Sequence, residues 1–418
     1  MSRIHSKNPI ASLSILIFGH FLNHFYAYVF GAAMFVIRND IVMNNKQIGL
    51  LATIQMVVFA LCTFAVGVLG DKWLASKKLF VPLGVFFMAL HLIIASVAQN
   101  YSTLALAAAT VGFGASFYHP VAYAAIADLY ENKKGLTMAL NAALGMIGTA
   151  LTPGIVASFS EWIGWRKFFL FFGTGAIVLA FLMFIGFNKL INYSFEKEEL
   201  EEIEKRRSSL STKERILYWL KFEFFAVLTL AVITCLAYSS LRSGLYKIVT
   251  QFLSIIFVDY YNYSILNAGW LSSVMLIIGG LTAIFGGILS DKKNAPLTML
   301  ISLAGSSVSI LLIFLLGKNA GTWGIIMLYF TFIAFLHFSS AASTKYVTEE
   351  VHQRNRSTAL GFLFAIPNTL AAVFPWSFGY FLDNSPFEIT LIYLFLLALG
   401  ATVLTVFLFV RELKKKLK

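Results

Sequence analysis

Arg242 lies about 18 apolar-rich residues after one hydrophilic stretch and about 15 before the next, so its side chain cannot easily snorkel to water in either direction. A guanidinium at the centre of a bilayer costs about 2.5 to 3.5 kcal/mol. Something must offset that cost. All 20 Asp and Glu fall in hydrophilic segments or near the ends of apolar runs, Asp128 being the nearest to a buried one. None is placed to neutralise Arg242. A substrate anion would complete the charge, because the planar fork of Arg242, assisted by Lys247, suits a carboxylate, phosphate or phosphonate. The competing explanation is an arginine held by backbone carbonyls and water in a polar seam. Tyr238, Arg242 and Tyr246 follow one another at i, i+4 and i+8, a ladder on one helical face.

Histidines form the second set. Five of the seven, His20, His24, His91, His119 and His337, lie in apolar runs. His20, Asn23 and His24 share one face of a helix, and His119 and Tyr123 share another. In "FYHPVAY" the chain places an ionisable ring beside Pro120, which cannot donate to the carbonyl of Ser116. That predicts a bend with a free acceptor next to His119. Imidazole titrates near pH 6.5 in water and tolerates apolar surroundings when neutral, so these rings can carry a proton within the working range. For any one of them a plain helix-to-helix hydrogen bond competes with that role.

These residues must be held by membrane helices. Of 418 residues 59% are hydrophobic and 12% charged, with mean hydropathy +0.79, whereas a soluble domain carries about 25% charged residues. About 20 apolar residues span the hydrocarbon. Twelve such runs predict spans near 11–37, 48–70, 79–98, 103–127, 135–160, 168–188, 223–257, 265–289, 296–317, 322–344, 357–382 and 387–410. The first is too long for a signal-peptide core and is expected to be retained. With both termini cytoplasmic, only five of the 32 Lys and Arg fall outside, namely Arg38, Lys46, Arg166, Lys167 and Lys318. The positive-inside rule thus accounts for the net charge of +12 without nucleic acid. The tail "RELKKKLK" suits anionic headgroups. Cys62 and Cys235 give neither a disulfide framework nor a metal-site spacing.

The chain divides into a bundle at 1–190, a charged linker at 191–222 and a second bundle at 223–418. Capping-box spacing of Ser211 and Glu214 allows a short surface helix in the linker, and a plain solvated linker is the alternative. "GVLGDKW" and "GGILSDKKN" align with one offset of 220 residues, and the same offset brings "TMALNAALG" near "STALGFLFA". The halves read as parallel repeats of six spans.

At Gly67, Leu69, Asp71 and Lys72, followed by the basic pair Lys77 and Lys78, the chain resembles the major facilitator superfamily. Lys72 stands where that family's signature has Arg, and "WLAS" replaces its tight Gly turn. "GHFLNHFYAYVF" and "FYHP" further resemble the fosmidomycin-resistance branch, whose members are efflux proteins, so export is implied to that extent. Gly145, Gly148, Pro153 and Gly154 partly match the family's antiporter motif, although close helix packing also calls for small residues there. The span-four Arg of the family pattern is missing.

The resemblance implies an all-α integral membrane protein with twelve transmembrane helices in two six-helix bundles, spans one, four, seven and ten lining a cavity. Substrate-binding candidates are then Arg242, Lys247, His119, Tyr123, Tyr238, Tyr246, Asn23 and His337, and proton-coupling candidates are His119, His24 and His20. Asp71, Lys72, Asp128, Asp291 and Lys292 are gating candidates. The function expected is a monomeric secondary transporter of the cell membrane, moving a small organic or phosphorylated anion by alternating access with protons as coupling ion, and with no cofactor or metal. Efflux of amphipathic drugs or neutral solutes is the alternative within transport. A membrane-embedded enzyme and a channel are the alternatives in other classes; against the first stand the lack of a metal-ligand cluster, of a Ser or Cys nucleophile motif and of a soluble catalytic domain in the sequence, and against the second the lack of a filter-like loop or charged ring.

Overall fold

The structure is a computed structural model of the chain that describes residues 3–72, 77–130, 134–194, 227–351 and 356–416. Twelve helices are long and apolar enough to cross a membrane: Pro9–Ala32, Asn45–Thr63, Leu79–Ser96, Tyr101–Tyr123, Thr137–Ile163, Trp165–Leu190, Leu230–Asp259, Ile265–Lys292, Ala295–Leu316, Gly321–Glu350, Phe362–Asn384 and Phe387–Lys415. They are spans one to twelve. Each corresponds to one of the twelve runs expected from the sequence.

Helix starts follow local chemistry. Asn8, Asn100, Thr229, Ser264 and Asn294 each accept from the backbone N–H three residues on, satisfying one orphan donor of spans one, four, seven, eight and nine. Three spans are interrupted. Span four consists of helices Tyr101–Ala115 and Tyr118–Leu129, span ten of Gly321–Phe338 and Ala342–Glu350, and the span-eleven region of Arg356–Ala371 and Val373–Asn384. The bend expected at Pro120 is therefore a break centred on Ser116 and Phe117. Such breaks survive in a membrane only where protein or water satisfies the backbone.

Spans one to six form one bundle and seven to twelve another. A two-stranded antiparallel ribbon, Arg3–Ser6 with Ile191–Ser194, joins the start of the chain to the stretch after span six. It is a small departure from an all-helical chain and puts both segments at one face. The proposed surface helix of the linker lies outside the described residues.

The bundles meet along spans two and eleven and along spans five and eight. Glycine makes both seams close: a Cβ at Gly49 would fall 2.1 Å from the Pro375 carbonyl oxygen, and one at Gly379 2.1 Å from that of Asn45. In the other seam the Gly154 N–H donates to Ser273 Oγ at 2.8 Å, and Trp270 Nε1 donates to Ser158 Oγ at 2.9 Å.

Candidate functional site

Span one presents a ladder of rings toward span four. His20 stacks on Tyr118 with centroids 4.7 Å apart, and it meets His24 at 4.5 Å and His119 at 5.3 Å edge to face. His24 and His119 are 5.7 Å apart by centroid. One ring nitrogen from each of the three lies within 4.8 Å of the others. The linear spacing reveals no such cluster, because His119 comes from another helix and only the fold brings it alongside His20 and His24.

The rings are held from outside. His20 Nδ1 is 2.5 Å from the Asn141 carbonyl oxygen, and His24 Nδ1 is 2.9 Å from Thr149 Oγ1, both partners lying on span five. Tyr118 places its hydroxyl 2.6 Å from Asn141 Oδ1 and 2.8 Å from the Leu16 carbonyl oxygen. Gly145 admits the His20 ring, since a Cβ there would sit 2.7 Å from it. Tyr123 lies 5.8 Å from both His20 and His119 by centroid. Asn23 stands apart from this cluster: it is 2% exposed and donates to the Ala115 carbonyl oxygen at 3.2 Å, capping the first half of broken span four.

Across the interface, span seven supplies the cations. Lys247 Nζ donates to the Tyr28 hydroxyl at 3.0 Å and lies 4.3 Å from the centroid of that ring. Tyr28 in turn stacks toward His24 at 5.8 Å and meets Tyr246 at 6.0 Å. Lys247 and Tyr28 also line a small cavity between the bundles with Gln55, Thr250 and Gln251. One turn and a half earlier, Arg242 donates from Nη2 to Ser340 Oγ at 2.8 Å, while its Nε is buried without a hydrogen-bond partner. Among the described residues, no carboxylate oxygen lies within 4.0 Å of Arg242 or Lys247. His337 packs edge-on to Tyr246 at 5.3 Å, with its Nε2 buried and unpartnered. Tyr238 is fully buried and hydrogen-bonds Ser339 at 2.6 Å, so it braces the break in span ten rather than facing a ligand.

The gate residues divide. Asp291 pairs with Lys345 of span ten at 2.9 Å, inside its own bundle, and Lys292 is exposed at the last turn of span eight. The side chains of Asp71, Lys72 and Asp128 lie outside the described residues. Among the described residues, the charged contacts between the bundles lie at the opposite end. Arg38 grips Asp259 through both guanidinium nitrogens. Asp383 accepts from the backbone N–H groups of Asn45 at 2.9 Å and Lys46 at 2.7 Å, so span eleven caps the start of span two across the interface. Lys46 lies over the rings of Trp376 and Tyr380. Hydrogen bonds between the bundles continue inward through Thr53, which donates to the Ala372 carbonyl oxygen at 2.5 Å, to Lys247 and Tyr28.

The chain that folds into these two bundles matches the family model described as Major Facilitator Superfamily over residues 16–268 and 241–418. The chain belongs to the major facilitator superfamily. This superfamily member is 23% identical to the hexuronate transporter of Bacillus subtilis (strain 168) over 98% of the chain and 96% of the relative. It is 27% identical to the sphingosine-1-phosphate transporter SPNS2 of Danio rerio and 25% identical to the probable L-galactonate transporter of Escherichia coli (strain K12). Those two matches cover 32% and 40% of the chain and only 27% and 37% of the relatives. Among solved structures, the inward-facing, unoccupied bacterial homologue of the lysosomal transporter Spinster superposes with TM-score 0.70 at 16% identity, over 97% of this chain and 96% of that one. The D-xylose-proton symporter superposes with TM-score 0.74 at 12% identity, over 95% and 96%. The superfamily member is therefore a multi-pass secondary transporter of a small molecule, not an enzyme.

Sequence reasoning missed Tyr28, Thr149 and Asn141. Tyr28 continues the i, i+4 series of His20 and His24, a signal the spacing already carried. Thr149 and Asn141 had none, because the histidines they hold are more than a hundred residues away.

Proposed function

We propose that this transporter moves a small organic anion, with Arg242 as the principal anion contact and Lys247 as the second cation. The observation that carries the reading is the buried, unpartnered Nε of Arg242 on a side chain with no carboxylate beside it among the described residues. A planar anion can accept from Nε and a terminal nitrogen together, the bidentate geometry that lysine lacks. Named relatives that carry hexuronate, L-galactonate and sphingosine-1-phosphate support an acidic solute.

In the same reading a proton enters the histidine cluster of the first bundle. No carboxylate is printed in the sequence at mid-depth, and His20, His24 and His119 lie against one another with Tyr118, Tyr123 and Tyr28 around them. A proton placed there is repelled by the Lys247 ammonium across the interface, and a substrate anion bound beside Lys247 offsets that repulsion, so proton and anion favour each other. In this reading the distribution of Lys and Arg assigns both termini to the cytoplasm and the sealed end to the outside, and the carrier works in the cell membrane as a monomer.

The test is a thermal-shift and uptake series with reconstituted protein against hexuronates, aldonates and phosphorylated acids, using Arg242→Ala. Ligand bound to the native state raises stability with concentration. Saturable uptake of an acid that disappears in the variant supports the reading, and unchanged affinity in the variant excludes it.

A further inference from the structure

His20, His24 and His119 have a property that a proton site does not need: ring nitrogens of all three converge, while His20 and His24 each have their Nδ1 held from span five. His20 Nδ1 faces a carbonyl oxygen, which can only accept, so that nitrogen carries the hydrogen and the lone pair sits on Nε2. Thr149 Oγ1 can donate to the Gly145 carbonyl oxygen at 3.4 Å and accept from His24 Nδ1, the tautomer that leaves the His24 lone pair on Nε2. A ring that donates its far N–H to a backbone carbonyl or a hydroxyl, with its near nitrogen free, is the arrangement that orients histidine toward a metal.

A second observation points the same way. His20 is 2% exposed and its Nε2 is buried with no partner, on a ring that offers one nitrogen within 4.8 Å of nitrogens from His24 and His119. A buried polar atom left without a hydrogen bond is costly, so a ligand that uses the lone pair is favoured there. His91 is equally buried and unpartnered, but no other histidine, cysteine or carboxylate converges on it among the described residues.

We propose that His20, His24 and His119 form a three-nitrogen site for a divalent transition-metal ion of the zinc type, linking span one to span four inside the first bundle. Neutral imidazole suits zinc, copper and nickel. Zinc-to-nitrogen bonds of about 2.0 to 2.1 Å at tetrahedral angles require nitrogens about 3.4 Å apart. Closing the cluster to that spacing takes rotation of the half-buried His119 and His24 rings toward the anchored His20, with the His24 contact to Thr149 Oγ1 lengthened. Three protein nitrogens leave a fourth position for water or an anionic oxygen. The nearby positive charge of Lys247 opposes a dication, and bound hydroxide or a substrate acid in the fourth position offsets it. The inference stands on the first bundle alone and goes beyond the anion reading, which rests on Arg242. Metal and proton would use the same lone pairs, so they exclude each other at any moment.

The test uses the purified full-length transporter without substrate. Zinc chloride is titrated by calorimetry, and cobalt chloride is followed by its visible absorption, which reports a tetrahedral nitrogen environment. One metal per chain is expected, weakened at least tenfold by His24→Gln and by His119→Gln singly, and unchanged by His337→Gln in the other bundle. Size-exclusion behaviour and thermal unfolding of each variant confirm that the fold is retained. Binding that keeps its affinity and stoichiometry in both variants, as at His5 or another outlying histidine, overturns the proposal. So does the absence of saturable binding in the unaltered protein. Either outcome leaves acid uptake through Arg242 intact and is distinguishable from its failure.

Discussion

Lys247 of span seven donates to the hydroxyl of Tyr28 of span one at 3.0 Å, joining the two bundles beside the histidine cluster. Removing that hydroxyl in Tyr28→Phe leaves the ring in place and deletes one hydrogen bond to a charged donor, a loss of about 1.5 to 3 kcal/mol. The expected result is a shift toward the conformer in which spans one and seven separate. Paired spin labels on these spans, read by pulsed distance measurement, would show a larger separated population than in the unaltered protein. An unchanged distribution would mean that the bond does not help hold the interface.

Arg242→Lys keeps the charge and loses the fork. Apparent affinity for the transported acid is expected to fall roughly tenfold or more, about 1.4 kcal/mol or more, with the larger loss in Arg242→Ala. Equal affinities for Arg and Lys proteins in a binding isotherm would argue that only charge matters there.

At the sealed end, Arg38 and Asp259 form a two-pronged pair with side chains 16% and 30% exposed. Partial exposure limits its worth to about 1 kcal/mol. Arg38→Ala and Asp259→Ala should each increase labelling of cysteines placed behind the gate, and the double variant should add little to either. Additive effects would show that the two residues act independently.

Gly379 leaves no room for a side chain against the Asn45 carbonyl oxygen. Gly379→Ala is expected to open the seam between spans two and eleven at a cost of about 1 to 3 kcal/mol. Gly287, whose added Cβ would meet nothing within 4 Å, is the control. The contrast between the two in transport rate and gate accessibility measures the seam directly.

For coupling, His119→Gln and His24→Gln keep polarity but cannot take a proton near neutral pH. Acid binding at constant pH should survive in both variants, while stimulation of uptake by an imposed pH gradient should be lost. A gradient response that persists in the double variant would remove the histidines from the coupling step.

The twelve spans, their division into two repeats and the lack of a carboxylate partner for Arg242 among the described residues were legible in the sequence. Hydropathy, a 220-residue offset and the bilayer's intolerance of unpaired charge are properties of short windows or of composition, and a linear reading captures them. Partners from distant helices were not legible. Asn23 and Tyr238 share helical faces with candidate site residues, yet the fold turns Asn23 onto the Ala115 carbonyl oxygen and Tyr238 onto Ser339, where each braces a helix break. Tertiary packing also brought His119 to His20 and His24, and set Asp383 over the start of span two. A helix period states which residues share a face, but only the packing of twelve helices decides what that face meets.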